Sequence, residues 1–263
     1  MRRLARLLML APALLLAQAL LLPGAAVAQP RLITDLSQSR IDISYRFAGA
    51  ELLIFGAIQY PGGRAPTEPP DIAVVLRGPV EPVTVRRKAR VLGIWVNTEA
   101  VRFETAPGFY AVATSRPVTD MLDERNAAIH EIGLAHLQLS PATATDAETS
   151  RRFEEGLVAL RVKEGVYSEQ PFGVQITDRV LYSARIPIPS AVPVGNYQAE
   201  IYLIGDGEVR ARSTTPVIID KTGFERGVYV FAQEHSLAYG LLAVAIALGL
   251  GWLAGAVGRL RGA

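Results

Sequence analysis

The sequence predicts a mainly β protein: two immunoglobulin-like β-sandwich halves with a helical hairpin between them, carried on one C-terminal transmembrane helix. Three observations predict it. Between residues 29 and 221, short runs of alternating apolar and polar residues recur, broken by Pro and Gly. Between 119 and 164 the apolar spacing lengthens to three and four. From 237 to 257, 21 residues carry no charge, enough to cross about 30 Å of hydrocarbon as a helix.

Residues 1–28 read as a signal peptide. Arg2, Arg3 and Arg6 precede a Leu/Ala-rich run over 7–22, Pro23 and Gly24 break it, and Ala26-Val27-Ala28 offers small residues for cleavage. An uncleaved first membrane segment is the other reading. The first sandwich half, 29–118, holds strands expected at 41–47, 51–59, 71–77, 83–91, 92–97, 101–104 and 110–114, with a turn at Arg77-Gly78-Pro79.

The helical hairpin is expected over 119–164. Asp120 caps a first helix with Leu122, Ile129, Ile132 and Leu139 on one side. Thr145 and Glu148 form a capping box for a second, which carries Phe153, Leu157 and Leu160. The second half, 165–221, holds strands at 172–177, 180–187, 196–204 and 208–219. Gly205-Asp206-Gly207 joins the last two as a hairpin. Pro107-Gly108 before Tyr110 and Pro193 with Gly195 before Tyr197 introduce strands in the same way, 87 residues apart, like the tyrosine corner of immunoglobulin-like domains. One sandwich with a helical insertion remains the alternative.

In the juxtamembrane segment 222–236, Phe224, Val228 and Phe231 fall at helical spacing. They suit a surface helix or a plain aromatic lead-in equally. The membrane helix spans 237–257, with Tyr239 and Trp252 towards its ends. Arg259 and Arg261 lie in the tail, 258–263. Positive residues stay inside, so the tail is expected in the cytoplasm and 29–236 in the periplasm, across the bacterial inner membrane. An uncleaved first segment would leave that placement unchanged.

Composition narrows the function. Of 263 residues, 50% are hydrophobic and 20% charged, with no Cys and three His; the mean hydropathy is +0.24. These values exclude a disordered chain, disulfides, thiol catalysis and Cys-ligated metals. The pI near 9.0 misleads. Five of the 27 basic residues flank the apolar segments; the remaining 22 face all 25 acidic ones between 29 and 236, a net of −3. No nucleic-acid partner is expected.

Chemistry is sparse. No GxSxG elbow or P-loop is present. His130-Glu131 opens like HExxH, but position 134 is Leu; His136 reads as a helix-packing residue, and His235 with Glu234 as a polar pair at the interface. No catalytic, cofactor-binding or metal residue is assigned, no cofactor is expected, and the chain reads as not an enzyme. Two constellations point to contacts. Ala243, Ala247, Gly251 and Gly255 place small residues on one face of the membrane helix, where a second helix can approach. Arg86, Arg87, Lys88 and Arg90 are candidate anion or lipid contacts, or else a charged edge strand that blocks stray pairing.

Several stretches resemble a known family: Phe47-Ala48-Gly49-Ala50 with LIFGAI (53–58), VLRGP (75–79), VRRKARVLGIWVN (85–97), FYAVATSRP (109–117), ARIPIP (184–189), VPVGNYQAEIYL (192–203) and Gly223-Phe224-Glu225-Arg226. The chain is similar over nearly its whole mature length to an alphaproteobacterial transmembrane protein family without an assigned activity. The resemblance implies an accessory role beside sulfite-exporter-like permeases and brings no catalytic residues. The expected partners are the lipid bilayer and an inner-membrane protein, or a second copy through the membrane helix. The alternative is a periplasmic anion-binding or sensing module built on the basic run and Trp95.

Overall fold

The computed structural model describes residues 29–43, 49–142, 146–221 and 224–261. The signal segment 1–28 and the cap residue Thr145 lie outside the described residues. Among the described residues, twelve strands form three sheets. β1 (Arg31–Leu36), β3 (Ala50–Gln59), β10 (Leu181–Ile188) and β9 (Val174–Thr177) make a four-stranded antiparallel sheet in the order β1-β3-β10-β9. A six-stranded sheet runs β2-β12-β11-β4-β7-β8, from β2 (Arg40–Ile43), β12 (Glu208–Lys221), β11 (Gly195–Gly205), β4 (Asp71–Arg77), β7 (Tyr110–Thr114) and β8 (Tyr167–Gln170). The third is a two-stranded ribbon of β5 (Val80–Val91) and β6 (Ile94–Pro107).

The two larger sheets share one hydrophobic core. Along β11, Tyr197, Ala199, Ile201 and Leu203 are all buried, as the alternation required. β4 is buried from Ile72 to Leu76, and its apolar run suits a strand covered on both faces. Its second cover comes from α1 (Val118–Met121), α2 (Glu124–His130) and the turn at Leu134–His136, which bring Val118, Met121, Leu122, Ala127 and Ile132 into the core. Gly56 of β3 has no room for a side chain: an added Cβ would stand 2.1 Å from the Ile33 carbonyl oxygen and 2.4 Å from Tyr182 Oη.

Several expectations change. The segments 29–118 and 165–221 do not form separate sandwich halves. Each of the two larger sheets mixes strands from both, with β3 beside β10, β11 beside β4, and β2 parallel to β12. Neither segment holds enough strands to close a layer, so each completes the other's sheets. Tyr197 makes the corner contact, donating to the Pro193 carbonyl four residues upstream at 2.6 Å. Tyr110 instead donates across the fold to the Glu131 carbonyl at 2.8 Å.

The helical hairpin does not form either. Asp120 lies inside α1, Asp123 is the N-cap residue of α2, and Glu131 ends α2 in the left-handed region at φ 50°. Ile129 is exposed and His136 sits on a single 3-10 turn, so the expected stripe is broken. The helix after it does form, as α3 (Ala147–Lys163), but its cap is Asp146, which accepts from the Thr149 amide at 2.8 Å. It packs on the ribbon, where Phe153 and Leu157 join Val101, Phe103 and Leu139 in a second, smaller core.

Two strands were not foreseen, β1 and β8. The strand expected to begin at Leu92 begins at Ile94, because Leu92 and Gly93 form the hairpin turn. It continues through 101–104 as part of the long β6.

Candidate functional site

α4 (Phe224–Glu234) occupies the stretch where helical spacing was read, and α5 (Ser236–Arg261) holds the membrane candidate. The His235 amide donates to Phe231 and the Tyr239 amide to His235, so the two helices are joined almost without a break. Phe231 stacks on the His235 ring at 5.8 Å along this joint and meets Tyr239 edge to face at 6.2 Å.

The 20 residues Ser236–Gly255 are apolar and none is buried against the protein. A soluble core helix would be covered; this one leaves Leu241, Leu248, Leu250 and Trp252 fully in need of an apolar solvent. Four-residue spacing puts Ala243, Ala247, Gly251 and Gly255 on one face. A Cβ added to Gly251 or Gly255 would meet nothing within 4 Å, so that face is open.

The basic run lies on β5. Alternation places Arg86, Lys88 and Arg90 on one face of the ribbon and Arg87 on the other. The run is therefore split three to one rather than evenly scattered. Arg87 pairs with Glu99 across the ribbon at 3.2 Å, and Arg152 of α3 reaches the same carboxylate at 2.8 Å. The other edge of β6 is partly covered by residues 140–142, through Glu104 N to Ser140 O and Ala142 N to Arg102 O. β5 has no such neighbour among the described residues, as an edge strand would. Between β5 and α3 runs a groove of about 490 Å³, floored by Val85, Phe153 and Leu160 and rimmed by Arg86, Arg87, Arg152 and Lys163. Trp95 lies opposite Arg90 near the ribbon tip, away from this groove's lining.

A polar cluster that sequence reading missed lies where α2 meets the six-stranded sheet. Glu200 is only 4% exposed. Its carboxylate accepts from Tyr202 Oη at 3.0 Å and from Arg212, and stands 3.2 Å from Arg77 Nε. Arg77 also binds the Glu131 carboxylate and the His130 carbonyl. Burial works against the Arg77 charge, but Glu131 and Glu200 outweigh it and raise the pKa. Burial, then the charge of Glu200, pushes Tyr202 up to about 12. The His130 ring lies tilted against Tyr202 with centroids 5.4 Å apart, and burial followed by Arg212 lowers its pKa. Every charge here has a partner of opposite sign, so the cluster fastens α2 to the sheet. Little in the sequence signals it, because Glu200 falls in line with Asn196 and Gln198 on the polar face of β11 and only the covering helix buries it.

A cleft of about 620 Å³ opens beside Tyr60, Asp71, Arg116 and Arg210. Its central acid, Asp71, is held by Arg116 and Ser115. Among the described residues, no three His, Asp or Glu side chains converge as a metal site would need.

Among curated proteins, no sequence matched the chain. A family model described as "Putative transmembrane protein (Alph_Pro_TM)" matches residues 31–259. That match runs from β1 into the C-terminal end of α5 and so includes the sandwich, the ribbon and the membrane helix together. The chain belongs to the Alph_Pro_TM family of transmembrane proteins.

Proposed function

We propose that this protein is a non-enzymatic, membrane-anchored periplasmic subunit that docks onto an inner-membrane partner such as a sulfite-exporter-like permease. One observation carries the reading: an uncharged 20-residue stretch of helix with no cover from its own protein, bearing an open small-residue face. The bilayer takes the large side chains, and close packing against another helix takes the small ones. The cytoplasmic tail and periplasmic sandwich follow from Arg259 and Arg261 at the helix end. The test is crosslinking and copurification from native membranes, with wild type beside Gly251→Leu and Gly255→Leu. A specific membrane protein should be recovered with wild type and lost from both variants. Recovery of a free monomer in all three would end the docking reading. A reporter fused after Ala263 should be active only in the cytoplasm.

A second reading, an anion-binding or sensing module, is favoured by the groove between β5 and α3. Four cations on the rim of an apolar floor suit an anionic head with an apolar body, as in an organic sulfonate. Thermal shift of the purified chain against sulfite, sulfate and organic sulfonates separates the two. Stabilisation that disappears in Arg86→Gln/Arg152→Gln supports the module, and no shift with any of them removes it.

A further inference from the structure

The tip of the β5–β6 ribbon carries a run of exposed apolar side chains. Leu92 is 99% exposed, Ile94 68% and Trp95 67%, with Val91 and Val96 exposed beside them. Isolated exposed apolar residues are ordinary, whereas a contiguous group at one hairpin tip marks a contact. The turn itself does not ask for them. Leu92 and Gly93 both hold positive φ, 49° and 88°. Asn-Gly would serve such a turn in water with less strain than Leu-Gly. Leu92 therefore occupies an unfavourable backbone position while contributing nothing to either core.

Arg86 and Lys88 stand behind this tip, and Arg90 folds along it, its Nε donating to the Gly93 carbonyl at 3.2 Å. Arg86, Lys88 and Arg90 share one face, and none has an ion pair among the described residues, unlike Arg87 with its Glu99. Trp95 sits across from Arg90, an arrangement that matches the depth order of a bilayer surface, with aliphatic groups deepest, indole next and cations at the headgroups.

Topology supplies the proximity. β4 and β12 run in the same direction on either side of β11. The C-terminal end of β4 leads into the ribbon, and that of β12 leads through α4 to the membrane helix. Pro79, at the ribbon's base, would stand 3.1 Å from a Cβ on Gly195, the residue paired with Ile219 near the end of β12. The ribbon and the membrane anchor thus leave the same end of the sheet. Twelve residues of β5 reach about 40 Å when extended.

We propose that the 91–96 tip inserts into the bilayer that carries the chain's own helix, with Arg86, Lys88 and Arg90 on anionic phospholipid headgroups. The inference rests on the membrane-anchored reading. A lone apolar hairpin would hold a bilayer weakly, but the anchor keeps this one at high effective concentration. Two attachments would then fix the orientation of the sandwich over the membrane.

The absence of Cys makes single-site labelling clean. The full chain would carry an environment-sensitive fluorophore at Leu92→Cys, at Leu248→Cys to report the anchor, or at Glu155→Cys to report exposed surface. Each is reconstituted into phosphatidylcholine vesicles with and without phosphatidylglycerol. Lipid-borne quenchers should reach the Leu92→Cys probe in the anionic vesicles, aqueous iodide should not, and the Glu155→Cys probe should behave oppositely. Arg86→Gln, Lys88→Gln and Arg90→Gln should each lower tip insertion about fivefold. A lipid-quenched Leu248→Cys probe beside an iodide-quenched Leu92→Cys probe in both vesicles overturns the insertion alone. Shielding of Leu92→Cys only in native membranes, by crosslinking to a polypeptide, overturns it in favour of a protein partner. A Leu248→Cys probe that lipid quenchers never reach overturns the anchoring itself.

Discussion

Glu200 shows how one residue ties two layers together. It projects from β11 towards the helices rather than into the sandwich, because its even position alternates with buried Ala199 and Ile201. Arg77 and Arg212 converge on it, and Tyr202 donates to it. His130 feels the same group of charges. Its pKa is lowered, first by burial and then by Arg212. The unfolded chain therefore binds a proton that the folded imidazole refuses once pH falls below the ordinary value of about 6.5. Its share of stability is complete above that value and shrinks as pH drops towards the lowered folded value. Thermal unfolding of the detergent-solubilised chain should show Tm falling from pH 7.5 to 5.5, and His130→Gln should fall less steeply. Parallel curves would show that His130 plays no part.

At the scale of elements, α3 and the ribbon form a unit with its own small core. Ion pairs line it from Arg152–Glu99 to Arg161–Glu81. Its N-terminus depends on Asp146, whose carboxylate accepts from the Thr149 amide and is thereby held below the usual range. Asp146→Ala should lower the midpoint of chemical denaturation, while Asp146→Ser should leave it nearly unchanged. An unchanged midpoint in the Ala variant would mean that the α3 start does not limit stability. The helical period over 153–160 was legible because Phe153 and Leu157 face one apolar surface. The period over 122–139 misled, because Glu131 and Gly133 at positive φ break the helix before the stripe can assemble. β1 went unread because Pro30 and the polar residues at 35 and 37–40 make its short pattern resemble a lead-in. β8 went unread because Ser168, Glu169 and Gln170 follow its one large apolar residue, Tyr167. Its pairing with β7 supplies what its own composition lacks.

For the whole molecule, interleaving makes residues 29–221 one folding unit. A fragment ending at 164 would lose β9 and β10 from one sheet and β8, β11 and β12 from the other. Neither 29–164 nor 165–221 should unfold cooperatively alone, and co-expression should restore a single transition with native near-ultraviolet circular dichroism. A cooperative transition in either fragment would restore the two-half division.

The sequence by itself determined the membrane helix, most of the strands and the hairpin at Gly205-Asp206-Gly207, because hydropathy, alternation and turn chemistry act over a few residues. Only the tertiary structure decided that Ile41 lies beside Ile219, that α3 covers the ribbon and that Leu92, Ile94 and Trp95 remain uncovered. Such pairings join positions far apart in the chain. What selects them is the apolar area each arrangement removes from water, a property of the assembled layers that no short window of sequence contains.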